Sequence, residues 1–132
     1  MKKFIISILT GILAFTLSSF ALTREEIEKN PILKGKMLAK RCSWCHDIRK
    51  TIVAPPFKVI LERYRDVPEE TLKKQFFEAI KNGSKGKWHN WLKNHVQTKL
   101  GRGDVMYMPP QKPYYTDEEI KLIINWLLTL KK

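Results

Sequence analysis

Apolar positions recur at intervals of three and four along most of this chain, with charged residues between them. In 116–130, Ile120, Ile123, Ile124, Leu127 and Leu128 form one stripe, and Leu122, Trp126 and Leu130 form a second. A helix apolar on two faces is expected to be buried on two sides. Thr116 and Glu119 fit a capping box at its start. In 67–83, Leu72, Phe76 and Ile80 recur every four residues; Pro68 and acidic residues open the segment, lysine follows near its end, and Gly83 stops it. Residues 87–100 place Trp88, Leu92 and Val96 at the same interval, ahead of Gly101 and Gly103, and 57–64 reads as a short helix. Ile32, Leu33, Met37 and Leu38 predict a helix from about residue 31 into the segment around residue 42, with Asn30 as its cap and Pro31 in its first turn. Thr23 and Glu26 fit another capping box, for a short helix upstream. Pro55-Pro56 and the three prolines of 104–115 mark loops, because proline neither continues a helix nor donates to a sheet. Convincing alternation of the strand type is missing. The pattern predicts an all-α domain of four or five short helices joined by Pro-rich loops.

The first 21 residues follow different rules. Lys2 and Lys3 precede a mostly apolar run from Phe4 to Ala21, and Ser19-Phe20-Ala21 puts small residues at cleavage spacing. This is the layout of an export signal peptide, with an uncleaved membrane anchor as the alternative. Cleavage after Ala21 leaves 22–132 as one domain of 111 residues, in an exported setting for which a bacterial periplasm is expected. The formal charge is +12, of which Lys2 and Lys3 supply two. Such an excess suits an acidic protein partner or an anionic surface. Export and the absence of a nucleic-acid-binding signature argue against nucleic acid, and a solvated lysine-rich surface accounts for part of the charge.

Cys42-Ser43-Trp44-Cys45-His46 contains the chain's two cysteines. A zinc site needs about four ligands, and adjacent Cys45 and His46 cannot readily share one tetrahedral ion. A thioredoxin-like pair calls for a strand before the motif, where this chain reads as helix. A disulfide across two residues closes too small a loop to stabilise much. Cys-x-x-Cys-His is also the attachment signature of c-type haem. There the thiols add across the two porphyrin vinyl groups and the next residue, His46, becomes the proximal iron ligand. In an exported, helical chain with no other cysteine, haem explains the arrangement best.

With this motif, and over residues 31–88 and 104–131, the chain resembles small bacterial class I cytochromes c. "VAPPFK" at 53–58 is similar to the family's proximal loop; the resemblance implies that the Pro55 carbonyl accepts a hydrogen bond from the His46 ring. "NGSKGKW" at 82–88 resembles the glycine-rich turn leading to a tryptophan, and implies Trp88 beside the haem edge, its indole N–H near a propionate. "MPP" at 108–110 resembles the distal-ligand motif and implies Met108 as the sixth ligand, with Met106 its rival two residues away. The implied fold is that of cytochrome c, wrapped around one haem c bound through Cys42 and Cys45. The chain departs from compact relatives at 89–107, an apparent insert before the distal loop. It brings His89 and His95, alternative distal ligands, and with Lys87, Lys93, Lys99 and Arg102 it suggests a basic lip beside the cleft.

The resemblance implies a periplasmic one-electron carrier rather than an enzyme, with both axial positions of the iron filled. It implies a monomer that docks briefly on acidic redox partners, such as a reductase, dehydrogenase or oxidase, and touches membrane only if the leader is retained. A permanent haem subunit of a periplasmic dehydrogenase, in sulfur or nitrogen oxidation, is the second reading. A haem sensor or peroxidase-like protein with a labile sixth ligand is the third.

Overall fold

The structure is a computed structural model that describes residues 22–96 and 106–132. Its α-helices are α1 (Arg24–Lys29), α2 (Pro31–Leu38), α3 (Phe57–Arg63), α4 (Glu69–Asn82), α5 (His89–His95) and α6 (Asp117–Thr129). A 3-10 segment, Ala39–Trp44, continues α2 into the cysteine motif. Among the described residues there is no strand, only isolated bridges between His46 and Thr51 and between Ser84 and Met108. The leader, and the part of the insert holding Lys99 and Arg102, lie outside the described residues.

Three helix starts are set by side-chain oxygens. The Thr23 hydroxyl accepts from the Glu26 amide while the Glu26 carboxylate accepts from the Thr23 amide at 2.7 Å. Thr116 and Glu119 repeat the exchange at the start of α6. Asn30 Oδ1 accepts from the amides of Ile32 and Leu33 at 3.0 and 3.1 Å. Each such cap satisfies amides that the first turn leaves without partners, and contributes about 1 kcal/mol.

The core forms where α6 crosses α2 and runs beside α4. Ile120, Ile123, Ile124, Trp126 and Leu127 of α6 are buried with Ala39, Phe57 and Ile80. Leu122, Leu128 and Leu130 are half-buried, so both stripes of α6 are covered. Each buried side chain of this size contributes roughly 1.5–3 kcal/mol. The crossing itself depends on a missing side chain. A Cβ on Gly35 would lie 2.1 Å from the Leu122 carbonyl oxygen and 3.1 Å from Trp126 Cβ, so only glycine lets the two backbones approach this closely. Lys58 closes the other end of α6 by donating to the carbonyls of Leu130 and Lys132.

Two sequence expectations shift. Met37, assigned to the apolar face of α2, is exposed at 39%, whereas Ile32 and Leu38 pack on the core. The helix expected to reach the cysteines does so with a change to 3-10 geometry at Ala39. Among the described residues no helix is long and apolar enough to cross a membrane.

Candidate functional site

The first wall of the site is built between the 3-10 segment and α3. The Cys42 carbonyl accepts from the amides of Cys45 and His46 at 3.1 and 2.9 Å. This turn brings both thiols and the imidazole onto one cleft. Cys42 is half-buried and Cys45 exposed, and the two are not joined to each other. Before haem attachment, burial pushes the Cys42 thiol up, and the neighbouring Cys45 acts in the same direction.

His46 Nδ1 lies 2.7 Å from the Pro55 carbonyl oxygen. A carbonyl only accepts, so Nδ1 carries the proton and Nε2 keeps its lone pair. Burial holds the ring below the usual histidine range, opposed in part by the bond to Pro55. The ring is therefore a neutral imidazole of fixed tautomer, the form in which histidine binds metals. Phe57 stacks on it at 5.2 Å and 16°, and meets Trp126 edge-on at 5.8 Å. The amides of Phe57 and Lys58 donate to the carbonyls of Asp47 and Ile48, both at 3.0 Å. The loop, the imidazole and the start of α3 thus share one set of supports.

The second wall comes from the end of α4 and a strap of chain at 106–112. Gly83 stops α4 with φ +82°, and a Cβ there would lie 2.7 Å from the Met108 carbonyl oxygen. Ser84 and Met108 then exchange two backbone hydrogen bonds of 2.9 Å. The amides of Gln111 and Lys112 donate to the carbonyls of Ile80 and Lys81. Loop amides therefore satisfy carbonyls that the last turn of α4 would otherwise leave open. Met108 is half-buried against the core and lines the cleft. Met106 also lines the cleft. Among the described residues the backbone bonds from the strap to α4 and the turn after it run through Met108, Gln111 and Lys112. The Tyr115 hydroxyl donates to the Leu38 carbonyl at 2.8 Å, tying the chain beyond the strap to the end of α2.

Trp88 lines the cleft beneath the Arg63 guanidinium, which stands 4.4 Å from its ring and donates to the Lys87 carbonyl. Of the three histidines, His46 alone lines the cleft. His89 is exposed at the start of α5, and His95 is stacked on Trp91. Of the proposed basic lip, Lys87 borders the cleft and Lys93 is exposed on α5. Arg41 is the other charged residue in the described lining, so both charges there are positive. Sequence reasoning passed over Arg41, whose guanidinium lies 3.6 Å from the Tyr114 ring and 5.2 Å from that of Trp44. It also passed over Phe57 as a support of His46: Phe57 stood only at the start of a predicted helix, and nothing local signals a ring-on-ring contact.

The cleft encloses about 1610 Å³ of space, counting the part open to solvent. Its floor is apolar, formed by Ile60, Leu61, Phe76, Ile80, Ile123 and Leu127 among others. Two cysteines, the neutral His46 and two methionines line this space. Soft sulfur and imidazole donors over an apolar floor fit an iron porphyrin. Among the described residues no three His, Cys, Asp or Glu side chains converge on a possible ion site, so a zinc-type cage has no support here.

Helical fold, apolar cleft and Cys-x-x-Cys-His turn together define a small class I c-type cytochrome. The family model for cytochrome c matches residues 32–131, and the chain belongs to that family. It is 30% identical over 93 residues to cytochrome c-551 of Pseudomonas denitrificans and to that of Ectopseudomonas mendocina, covering 70% of this chain and 90% of each relative. Among solved structures it is similar to cytochrome c552 of Nitrosomonas europaea, with a TM-score of 0.54 and 28% identity, over 73% of this chain and 99% of that one. As a member of the family it carries one covalently bound haem c on its two cysteines, and it transfers electrons rather than acting as an enzyme.

Proposed function

We propose that this chain is a periplasmic one-electron carrier whose haem iron is held by His46 and Met108. One observation carries the ligand assignment: the cleft that takes in both thiols and the His46 imidazole also takes in Met108, whose backbone is pinned on both sides by Ser84. The bound haem supplies a reversible one-electron couple, and a thioether ligand favours the reduced state and raises the potential. The protein supplies the rest. Pro55 and Phe57 fix the imidazole, Ser84 fixes the strap, and the apolar floor excludes water, so little needs to move when the charge changes. Trp88 lines the same cleft, and on this reading its indole N–H would donate to a propionate.

Arg41 and Lys87 at the cleft, within a chain of net charge +12, favour brief docking on acidic partners by a monomeric carrier. That docking weakens as salt rises. The leader at 1–21 is read as a cleaved export signal.

The test is an optical spectrum of the purified protein in both redox states, with a pyridine haemochrome to count haem. The expected result is one haem per chain with the sulfur-to-iron charge-transfer band at the red end of the oxidised spectrum. Met108→Leu abolishes that band and Met106→Leu keeps it; the reverse pattern moves the ligand to Met106. A missing band together with ready carbon monoxide binding overturns the carrier reading. The second reading, a fixed dehydrogenase subunit, draws on α5, whose exposed residues within 89–107 offer added surface. A stable larger complex on gel filtration of native extract would favour it.

A further inference from the structure

Residues 88–95 place an aromatic column between the cleft and solvent. Trp88 lines the cleft under Arg63. Its ring meets Trp91 edge-on, with centroids 6.1 Å apart and planes at 90°. Trp91 stacks on His95 at 4.4 Å with planes 4° apart. His95 Nδ1 lies 2.9 Å from the Trp91 carbonyl, so Nδ1–H donates, the imidazole is held parallel to the indole, and Nε2 is the ring's other nitrogen. Trp91 is half-buried and His95 exposed, while Leu92 on the same helix and Val96 just after it are buried and anchor α5 to the body of the protein. Three π-systems in close succession therefore lead from the lining of the cleft to the outer face of α5. Electronic coupling through rings in contact falls off more slowly than coupling across gaps between saturated side chains.

We propose that the Trp88–Trp91–His95 column is an electron-coupling route to a second port on α5, separate from the cleft mouth, where a one-electron redox protein docks. The proposal rests on the carrier reading. In the forward direction the bound haem loses one electron and the docked acceptor gains it; no bond or proton changes hands, and the indole rings are bridges that are not themselves oxidised.

The test attaches a photoactive ruthenium bipyridyl complex to His95 in a His89→Gln background, or to His89 in a His95→Gln background. Intramolecular electron transfer is followed at the haem absorption after a flash. Trp91→Leu is expected to slow transfer severalfold from the His95 label and leave the His89 label unaffected, because residue 89 adjoins Trp88 directly. Trp91→Phe, which keeps a ring in the column, is expected to retain most of the rate and serves if the leucine variant disturbs the helix. In the unlabelled protein the His95 ring protons should be shifted upfield by the Trp91 ring current, and Trp91→Leu should remove the shift. Rates independent of Trp91, equal slowing from both labels, or no ring-current shift would each overturn the port while leaving the carrier reading intact. A colourless protein overturns the carrier reading and the port with it.

Discussion

The two walls of the cleft are held by different means. On the His46 wall, the proposed ligand and its supports lie within a short stretch of chain: the Cys42 carbonyl, the Pro55 carbonyl and the Phe57 ring all fall within residues 42–57. On the Met108 wall the ligand candidate is held by Ser84, 24 positions away in the sequence, and its strap by Ile80 and Lys81. The first wall is assembled by local turns, the second by a long-range closure whose entropy must be offset by packing and hydrogen bonds. The difference predicts that the Met108 side opens first under stress.

Substitutions can break this contrast or sharpen it. Phe57→Ala removes the ring stacked on His46 and the edge contact to Trp126 together, leaving a cavity; a loss of about 3–5 kcal/mol is expected in denaturant unfolding of the haem-loaded protein. A smaller loss would mean that Pro55 alone holds the imidazole. Gly83→Ala sets a side chain at φ +82° against the Met108 carbonyl, and should cost about 1–3 kcal/mol. Its sharper signature is spectral. The sulfur-to-iron band should weaken in Gly83→Ala and survive in a substitution confined to the His46 wall, such as Phe57→Leu.

Tyr115→Phe removes the hydroxyl bond to Leu38 and is expected to cost about 0.5–1.5 kcal/mol. Burial pushes the Tyr115 hydroxyl above its ordinary value of 10.0. The folded state therefore holds that proton to higher pH than the unfolded chain does. The corresponding stability is complete below pH 10.0 and is lost as pH rises through the folded value. Thermal unfolding across that range should show a downward slope that Tyr115→Phe flattens. The smallest effect is expected at Thr116, which does not line the cleft: Thr116→Ala removes a helix cap, costs about 1 kcal/mol or less, and leaves the spectrum unchanged.

What the sequence disclosed follows the same division. Capping boxes at Thr23 and Thr116, the Asn30 cap and the four-residue spacing in α4 are local signals, and the helices start where those signals stand. The cysteine motif is local too. Gly35 gave no signal, because a glycine inside a helical pattern reads as a mild defect until the crossing helix is in view. The Ser84–Met108 bridge is two residues long and has no alternation to reveal it. The Phe57 stack on His46 depends on the loop between them, and the Arg41 guanidinium meets the Tyr114 ring from far along the chain. Met37 reads as apolar and helical, but α6 covers only part of α2's circumference and leaves this side chain in solvent.

Because amides of the strap terminate α4, the strap cannot swing away while that helix end stays intact. Release of Met108, the proposed sixth ligand, and fraying of the last turn of α4 become one cooperative opening, and the amides of Gln111 and Lys112 should exchange with solvent deuterium at a common rate. Anything that grips the C-terminal end of α4 would then govern how often the iron is exposed to outside ligands, without touching the cleft.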